Sequence, residues 1–341
     1  FMIKLEYLII LLLATCFLGI FVKFKDKIGS ILSVLDIPKK GKIHDKITPL
    51  IGAFPIFIFS FILILYYDLI SKSEVTFYIF GYSYLFLIMG YLDDRYGLNA
   101  YLKLIISIII VFVATNTIET FAIDKIYIQT INKIIILDEI KIFFSVLCIL
   151  LLINSLNLID GINGLASGFV SVWLLSLALI SNNEEIFVLL FIISLFAFIN
   201  TFQIIKGKYF LGDSGTLFLG CLVALYTISI YNNQLINGIL IPIEKIFIFF
   251  MIPGIDMFRL FLSRLSNKKD PFSRDLNHLH HLMLKKFSLY KTLCIYLLIF
   301  SITNLLSYLD IINGYIIIIT YLTIYIFFIF YSKKEFNHTP D

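Results

Sequence analysis

Runs of about 20 mostly apolar residues, separated by short polar stretches, repeat along this chain from end to end. A helix that crosses about 30 Å of hydrocarbon needs about that many apolar residues. Windows near 5–23, 50–70, 75–92, 102–119, 141–157, 163–181, 185–204, 212–231, 240–262, 290–308 and 312–332 therefore predict about 11 transmembrane helices. One stretch breaks the pattern. Residues 121–140 (FAIDKIYIQTINKIIILDEI) alternate apolar and polar positions and carry charges, which predicts a short hairpin or interfacial segment. The longest polar stretches are 24–49 and 264–291, and no fixed-period repeat, soluble domain or low-complexity linker interrupts the chain. The expectation is an all-α, polytopic membrane protein forming a single domain over 1–341.

Composition agrees with that reading. Of 341 residues, 60% are hydrophobic and 15% charged, against about a quarter charged in a soluble domain. The mean hydropathy is +0.97. Cys16, Cys148, Cys221 and Cys294 all lie in apolar runs, without the paired spacing of a zinc site, and read as small buried hydrophobes. The run from Leu5 to Val22 carries no small-residue cleavage signature and reads as a retained first span.

The net charge of +4 matters less than where the charges fall. With sides assigned alternately, 20 Lys and Arg lie on the side that follows the first span and 5 on the other. The positive-inside rule makes the richer side cytoplasmic, with the amino terminus outside and the carboxyl terminus inside. Every polar cluster able to do chemistry falls on that same side.

Five clusters carry the candidate chemistry. Residues 36–52 (DIPKKGKIHDKITPLIG) hold Lys42 and His44, which could touch a phosphate, and Pro38 and Pro49, which fix a loop path; the lysines also serve the positive-inside signal. Asp93 and Asp94 end a span in GYLDDRYGLN, where two adjacent carboxylates call for a cation, either a divalent ion or an arginine; a solvated span terminus is the structural alternative. NSLNLIDGINGLASG, residues 154–168, places Asn157, Asp160 and Asn163 at apolar helix ends, where an acid is costly. Asn157 and Asp160 share a helix face by their spacing; helix capping is the structural alternative. KGKYFLGDSGTLFLG, residues 206–220, follows Asn200 and opens a span at Gly212-Asp213-Ser214-Gly215, where helix-start amides suit phosphate and Asp213 suits a metal or an N-cap. Last, DPFSRDLNHLHHLML, residues 270–284, sets His278, His280 and His281 after Arg259, Arg264 and Arg274, a composition that fits a pyrophosphate better than zinc.

Taken in order over residues 36–284, these segments resemble the polyprenyl-phosphate N-acetylhexosamine-1-phosphate transferase family. The matching pieces are the DIP…KIH loop, Asp93-Asp94, NLIDGINGLASG, Asn200 with YFLGDSGTLFLG, and PFSRDLNHLHHL. The HLHH form resembles the branch that initiates O-antigen, enterobacterial common antigen or teichoic acid. Phospho-N-acetylmuramoyl-pentapeptide transfer ranks second, and a carboxylate-coupled transporter or flippase is the rival from another class. The resemblance implies a UDP-N-acetylhexosamine donor, an undecaprenyl phosphate acceptor, Mg²⁺ or Mn²⁺, UMP as leaving group and a bacterial inner membrane; no nucleic acid is expected.

The resemblance assigns Asp213 to the metal first, with Asp160 or Asp94 assisting. Asp93 or Asp94 would position the lipid phosphate. Asp93, Asp94, Asp160, Asp213 and His281 form the expected catalytic set. Lys42, His44, Asn157, Asn163, Asn200, Arg264, Arg274, His278 and His280 are expected to hold substrate. Two positions depart from the family pattern: Asn163 stands where a second acid is common, and Leu276 where an arginine is common. Gly220 and Ala224 are small enough to pack helices or a homodimer, and the sequence does not choose.

Overall fold

The computed structural model describes residues 5–38, 46–71, 74–270 and 277–333. Its helices are α1 (Leu5–Leu32), α2 (Ala53–Ser71), α3 (Glu74–Tyr96), α4 (Ala100–Thr117), α5 (Lys141–Ile159), α6 (Leu165–Ile180), α7 (Glu184–Ile205), α8 (Gly212–Ile236), α9 (Ile243–Ser266), α10 (Leu279–Leu284), α11 (Leu289–Tyr308) and α12 (Gly314–Lys333). Local chemistry marks several starts: the side chains of Asn99, Asn183 and Ser288 accept from the backbone amides of Tyr101, Ile186 and Lys291 at the heads of α4, α7 and α11.

Among the described residues, nine helices are long and apolar enough to cross a membrane, which makes this a multi-pass membrane protein. The windows expected at 50–70 and 163–181 contain the shorter apolar stretches Ala53–Tyr66 and Leu165–Ile180. The expected eleven spans are thus matched by nine of full length.

Helix α8 is the central post. Its most apolar window lies wholly inside the protein, whereas about a fifth of the corresponding windows of α1, α4 and α12 is buried. α8 packs against α2, α3, α5 and α6, so peripheral helices present their Ile, Leu and Phe side chains to lipid. The exposed Leu12, Phe112, Phe327 and Phe330 belong to that lipid-facing surface.

The segment 121–140 forms the expected hairpin: β3 (Lys125–Ile128) pairs antiparallel with β4 (Lys133–Ile136). Its tip is held by Glu244 of α9, which accepts from the amides of Gln129 at 3.2 Å and Thr130 at 3.0 Å. The Tyr231 hydroxyl, near the end of α8, accepts from the Tyr127 amide at 3.0 Å. Asp213 stands 18 residues earlier on α8, about 27 Å away at 1.5 Å per residue. The hairpin and the acidic clusters therefore occupy opposite ends of the bundle.

At the acidic end, β1 (Leu35–Asp36) pairs antiparallel with β2 (Thr48–Pro49). The amide of Phe210 donates to the Pro49 carbonyl at 2.9 Å and that of Gly52 to the Phe210 carbonyl at 2.8 Å. These bonds tie the foot of the 36–52 loop to the approach to α8. Asn200 locks the same joint: its amide nitrogen donates to the Gly52 carbonyl at 3.1 Å and its oxygen accepts from the Tyr209 hydroxyl at 2.5 Å. With no exposed surface, Asn200 is a structural brace. Each end of its amide bonds to protein, at a residue expected from sequence to contact substrate.

Candidate active site

The site forms where α3, α4, α5 and α8 bring their polar ends together. Asp93 and Asp94 fall in the last turn of α3 and Lys103 in the first turn of α4, joined by the short link through Gly97, Leu98 and Asn99. Asp93 Oδ1 accepts from the Leu98 amide at 2.6 Å, which fixes the carboxylate against the link. Its Oδ2 meets Lys103 Nζ at 2.5 Å, and the same ammonium reaches Asp213 Oδ2 at 3.1 Å. One cation thus screens two acids from different helices. Asp94 serves another end: Oδ1 accepts from the amide of Asp213 at 2.9 Å and Oδ2 from that of Ser214 at 3.0 Å. It caps α8 from outside that helix, satisfying amides that would otherwise lack partners. Gly212 makes this approach fit, since its φ is +75° and a Cβ there would stand 2.7 Å from Asp94 Oδ2.

From α5, Asn157 Nδ2 donates to Thr216 Oγ1 at 2.9 Å, and Thr216 Oγ1 donates to the Asp213 carbonyl at 3.3 Å. Asp160 closes α5. Burial first, and then the negative charges of Asp213 and Asp94, hold its carboxyl well above the usual carboxylate range. Three acids thus lie within electrostatic reach of one another, with Lys103 bonded to Asp213. That donor set fits a divalent cation, whose charge would offset the repulsion that Asp160 feels. Asn163 lies half-buried in the turn between α5 and α6.

The histidine segment arrives from the far end of the sequence. A Cβ on Gly161 would stand 2.2 Å from His280 Nε2 and 2.8 Å from His281 Nε2. Both rings therefore rest on the glycine that follows Asp160. His280 is buried, and among the described residues its Nε2 has no hydrogen-bond partner. Burial, followed by the neighbouring His281, pushes its imidazole well below the ordinary range, so the ring is neutral at pH 7. His281 is half-buried.

His278 differs from the expectation that it holds substrate. It is buried, and its Nδ1 lies 2.8 Å from Asp256 Oδ2 of α9. The Nδ1 side of the ring faces protein. Asp256, His278 and His280 place potential metal-ligating atoms within 4.8 Å of one another. The Asp256 carboxylate, however, already receives Arg259 Nη2 at 2.9 Å and the Tyr325 hydroxyl at 2.7 Å. A guanidinium on the carboxylate opposes a second cation, so the grouping reads as a protein-internal network. Arg264 is buried in the last turn of α9. Lys42, His44 and Arg274 lie outside the described residues.

Sequence reasoning missed Lys103 and Asp256. Lys103 entered only as one cytoplasmic charge among many, and nothing in its neighbourhood singled it out. Asp256 did give a signal, because an acid within an apolar helix points to function by default.

The glycosyl transferase family 4 model matches residues 76–231, from within α3 to within α8. Three relatives are similar over more of the chain. A probable undecaprenyl-phosphate N-acetylglucosaminyl 1-phosphate transferase of Bacillus subtilis is 28% identical over 261 residues, covering 75% of this chain and 70% of that protein. An undecaprenyl-phosphate alpha-N-acetylglucosaminyl 1-phosphate transferase of Thermotoga maritima is 28% identical over 273 residues, 80% of either chain. Its Escherichia coli namesake is 24% identical over 285 residues, 79% of this chain and 74% of the other. The segment similar to glycosyl transferase family 4 contains Asp93, Asp94, Lys103, Asn157, Asp160 and Asp213, the residues whose side chains meet around the head of α8.

Proposed function

We propose that this enzyme transfers a sugar-1-phosphate, N-acetylglucosamine-1-phosphate or a related N-acetylhexosamine-1-phosphate, from a UDP-sugar to undecaprenyl phosphate. The products are polyprenyl-pyrophosphate-sugar and UMP, and the reaction takes place at the cytoplasmic face of a bacterial inner membrane. The observation that carries this reading is the convergence of Asp213, Asp160, Asp94, Asp93 and Lys103 at one end of a membrane bundle, with His280 and His281 seated on the adjoining Gly161. The relatives' names supply the acceptor and the transferred N-acetylglucosaminyl 1-phosphate group.

The chemistry follows from charge. Donor and acceptor are both anionic, so their approach is repulsive without compensation. Asp213 and Asp160 would hold a divalent ion, Mg²⁺ or Mn²⁺, which when bound would supply charge neutralisation of the pyrophosphate and of the leaving UMP. Asp94 orients Asp213 by gripping the first amides of α8. Lys103 supplies a fixed positive charge beside Asp93, suited to the lipid phosphate. That phosphate has a second pKa of about 6 and keeps little proton at neutral pH, so positioning outweighs base catalysis. His280 and His281 hold the donor by hydrogen bonds, and Asn157 and Asn163 line the same end of α5.

The test is a transfer assay with purified protein, undecaprenyl phosphate, Mg²⁺ and a panel of UDP-sugars that includes the muramoyl-pentapeptide donor. The expected result is UMP release that requires both lipid and metal and yields lipid-linked sugar pyrophosphate. If none of the donors gives UMP release, with folded protein and intact lipid, the reading is overturned.

A further inference from the structure

Asp256 has no place in the transfer step itself, yet it is buried inside a membrane helix and makes more polar contacts than any single acid of the site. Its Oδ1 accepts from Arg259 Nη2 at 2.9 Å and from the Tyr325 hydroxyl at 2.7 Å. Its Oδ2 meets His278 Nδ1 at 2.8 Å, and the Leu279 amide points at both oxygens from 3.3 Å. Arg259 also donates to the Tyr325 hydroxyl at 2.6 Å and to the Asn277 carbonyl at 2.6 Å. The Tyr325 oxygen therefore accepts from arginine and donates to the acid.

An arginine N–H, a tyrosine O–H and a backbone N–H surround the carboxylate, so His278 Nδ1 faces an acceptor-only group and must carry a proton. This arrangement fixes the ring and its tautomer, as a carboxylate does for any histidine it orients. His278 directly precedes α10, and its ring is 5.3 Å from that of His280, stacked at 16°; the His280 and His281 rings are 4.3 Å apart. His280 and His281 in turn bear on Gly161 beside Asp160. A continuous line of contacts runs from the α9–α12 interface to the site.

We infer that Asp256 is the positioning residue of the histidine segment: it holds His278 and the first amide of α10, and thereby sets where His280 and His281 meet the donor. Arg259 and Tyr325 hold Asp256 in turn, which gives α12, outside the segment matched by the family model, a part in the site. The inference rests on the proposed transfer reaction for its kinetic consequence but not for its geometry.

The test combines ring nitrogen spectroscopy with kinetics on the whole chain in lipid nanodiscs. With ¹⁵N-labelled histidine, and His278 assigned by the resonance lost in His278→Asn, the wild-type ring is expected to be protonated at Nδ1. Asp256→Asn brings N–H groups where only acceptors fit, so the Nδ1 signature should shift. Turnover should fall about 10–100-fold, the cost typical of losing an orienting partner. Tyr325→Phe, which keeps the charge pair, should cost severalfold and covers the case in which Asp256→Asn fails to fold. His278→Asn retains a donor at the Nδ1 position and should lose less turnover than His278→Ala. A wild-type His278 bare at Nδ1, or an Asp256→Asn protein with the original signature and turnover within about twofold, would overturn the inference. Wild-type protein that transfers nothing would remove the functional reading and leave the ring spectrum to decide this one.

Discussion

Asp213 and Lys103 show how much depends on single charges at the head of α8. Replacing Asp213 with Asn removes a full charge from the group that would hold the divalent ion, while keeping its shape. Transfer should drop by at least about 100-fold, roughly 2.7 kcal/mol of transition-state stabilisation, while the protein still inserts and keeps its thermal midpoint. Substantial retained UMP release would take Asp213 out of the metal site. Lys103→Gln should act in the opposite direction on the ion: without the ammonium at 3.1 Å from Asp213, the carboxylates attract a cation more strongly. Half-maximal activity is then expected at a lower Mg²⁺ concentration, together with reduced turnover, in a metal titration of both proteins. Asn200 provides the contrast. Asn200→Ala leaves the Gly52 carbonyl and the Tyr209 hydroxyl without their partner, a loss of about 1–3 kcal/mol. The outcome should be a lower unfolding midpoint with an unchanged KM for the donor; a raised KM at unchanged stability would restore the substrate-contact reading.

At the scale of elements, the site depends on close approach between helix ends and turns. Gly161 is where the α5–α6 turn receives two imidazoles, and Gly161→Ala would put a Cβ 2.2 Å from His280 Nε2. Because His280 is buried and ring-stacked, it has little room to give way. Turnover should therefore fall by an order of magnitude or more, about 1.4 kcal/mol per tenfold. Steady-state kinetics of Gly161→Ala beside Gly168→Ala, which meets only the flexible end of Leu297, separates a site effect from general crowding. Element-level features were unevenly legible in the sequence. The helices could be read because lipid demands long apolar runs, and the hairpin because its alternation breaks them. The caps at Asn99, Asn183 and Ser288 were not singled out in the sequence, although each is a short polar residue just ahead of an apolar run. The capping of α8 by Asp94 could not be read, because the acid and the amides lie 119 residues apart.

On the scale of the whole molecule, α8 organises the chain, with acids at its head and the β3–β4 hairpin near its tail. The charge bias expects the acidic end to face the cytoplasm. In a cysteine-free background, Thr130→Cys should react with an impermeant thiol reagent from the outer side, and Lys206→Cys only after the membrane is opened. The reverse labelling pattern would invert the topology. Chelation of divalent ions should stop UMP release, and Mg²⁺ or Mn²⁺ should restore it; activity that survives exhaustive chelation would remove the metal from the mechanism.

The sequence by itself determined the solvent, the helical class, the hairpin and the order of the five polar clusters, because hydropathy and spacing are local properties that survive without a fold. It also brought Asp93, Asp94, Asp160 and Asp213 forward as candidates, since acids at apolar helix ends are costly to place there, and His281 through its basic loop and the family resemblance. Tertiary structure decided which of these side chains touch. It put Lys103 between two acids, turned Asn200 into a brace, buried His278 against Asp256 and seated His280 on Gly161. Those outcomes depend on which helix ends meet in space, and pairs separated by up to 148 residues leave no local trace of their contact.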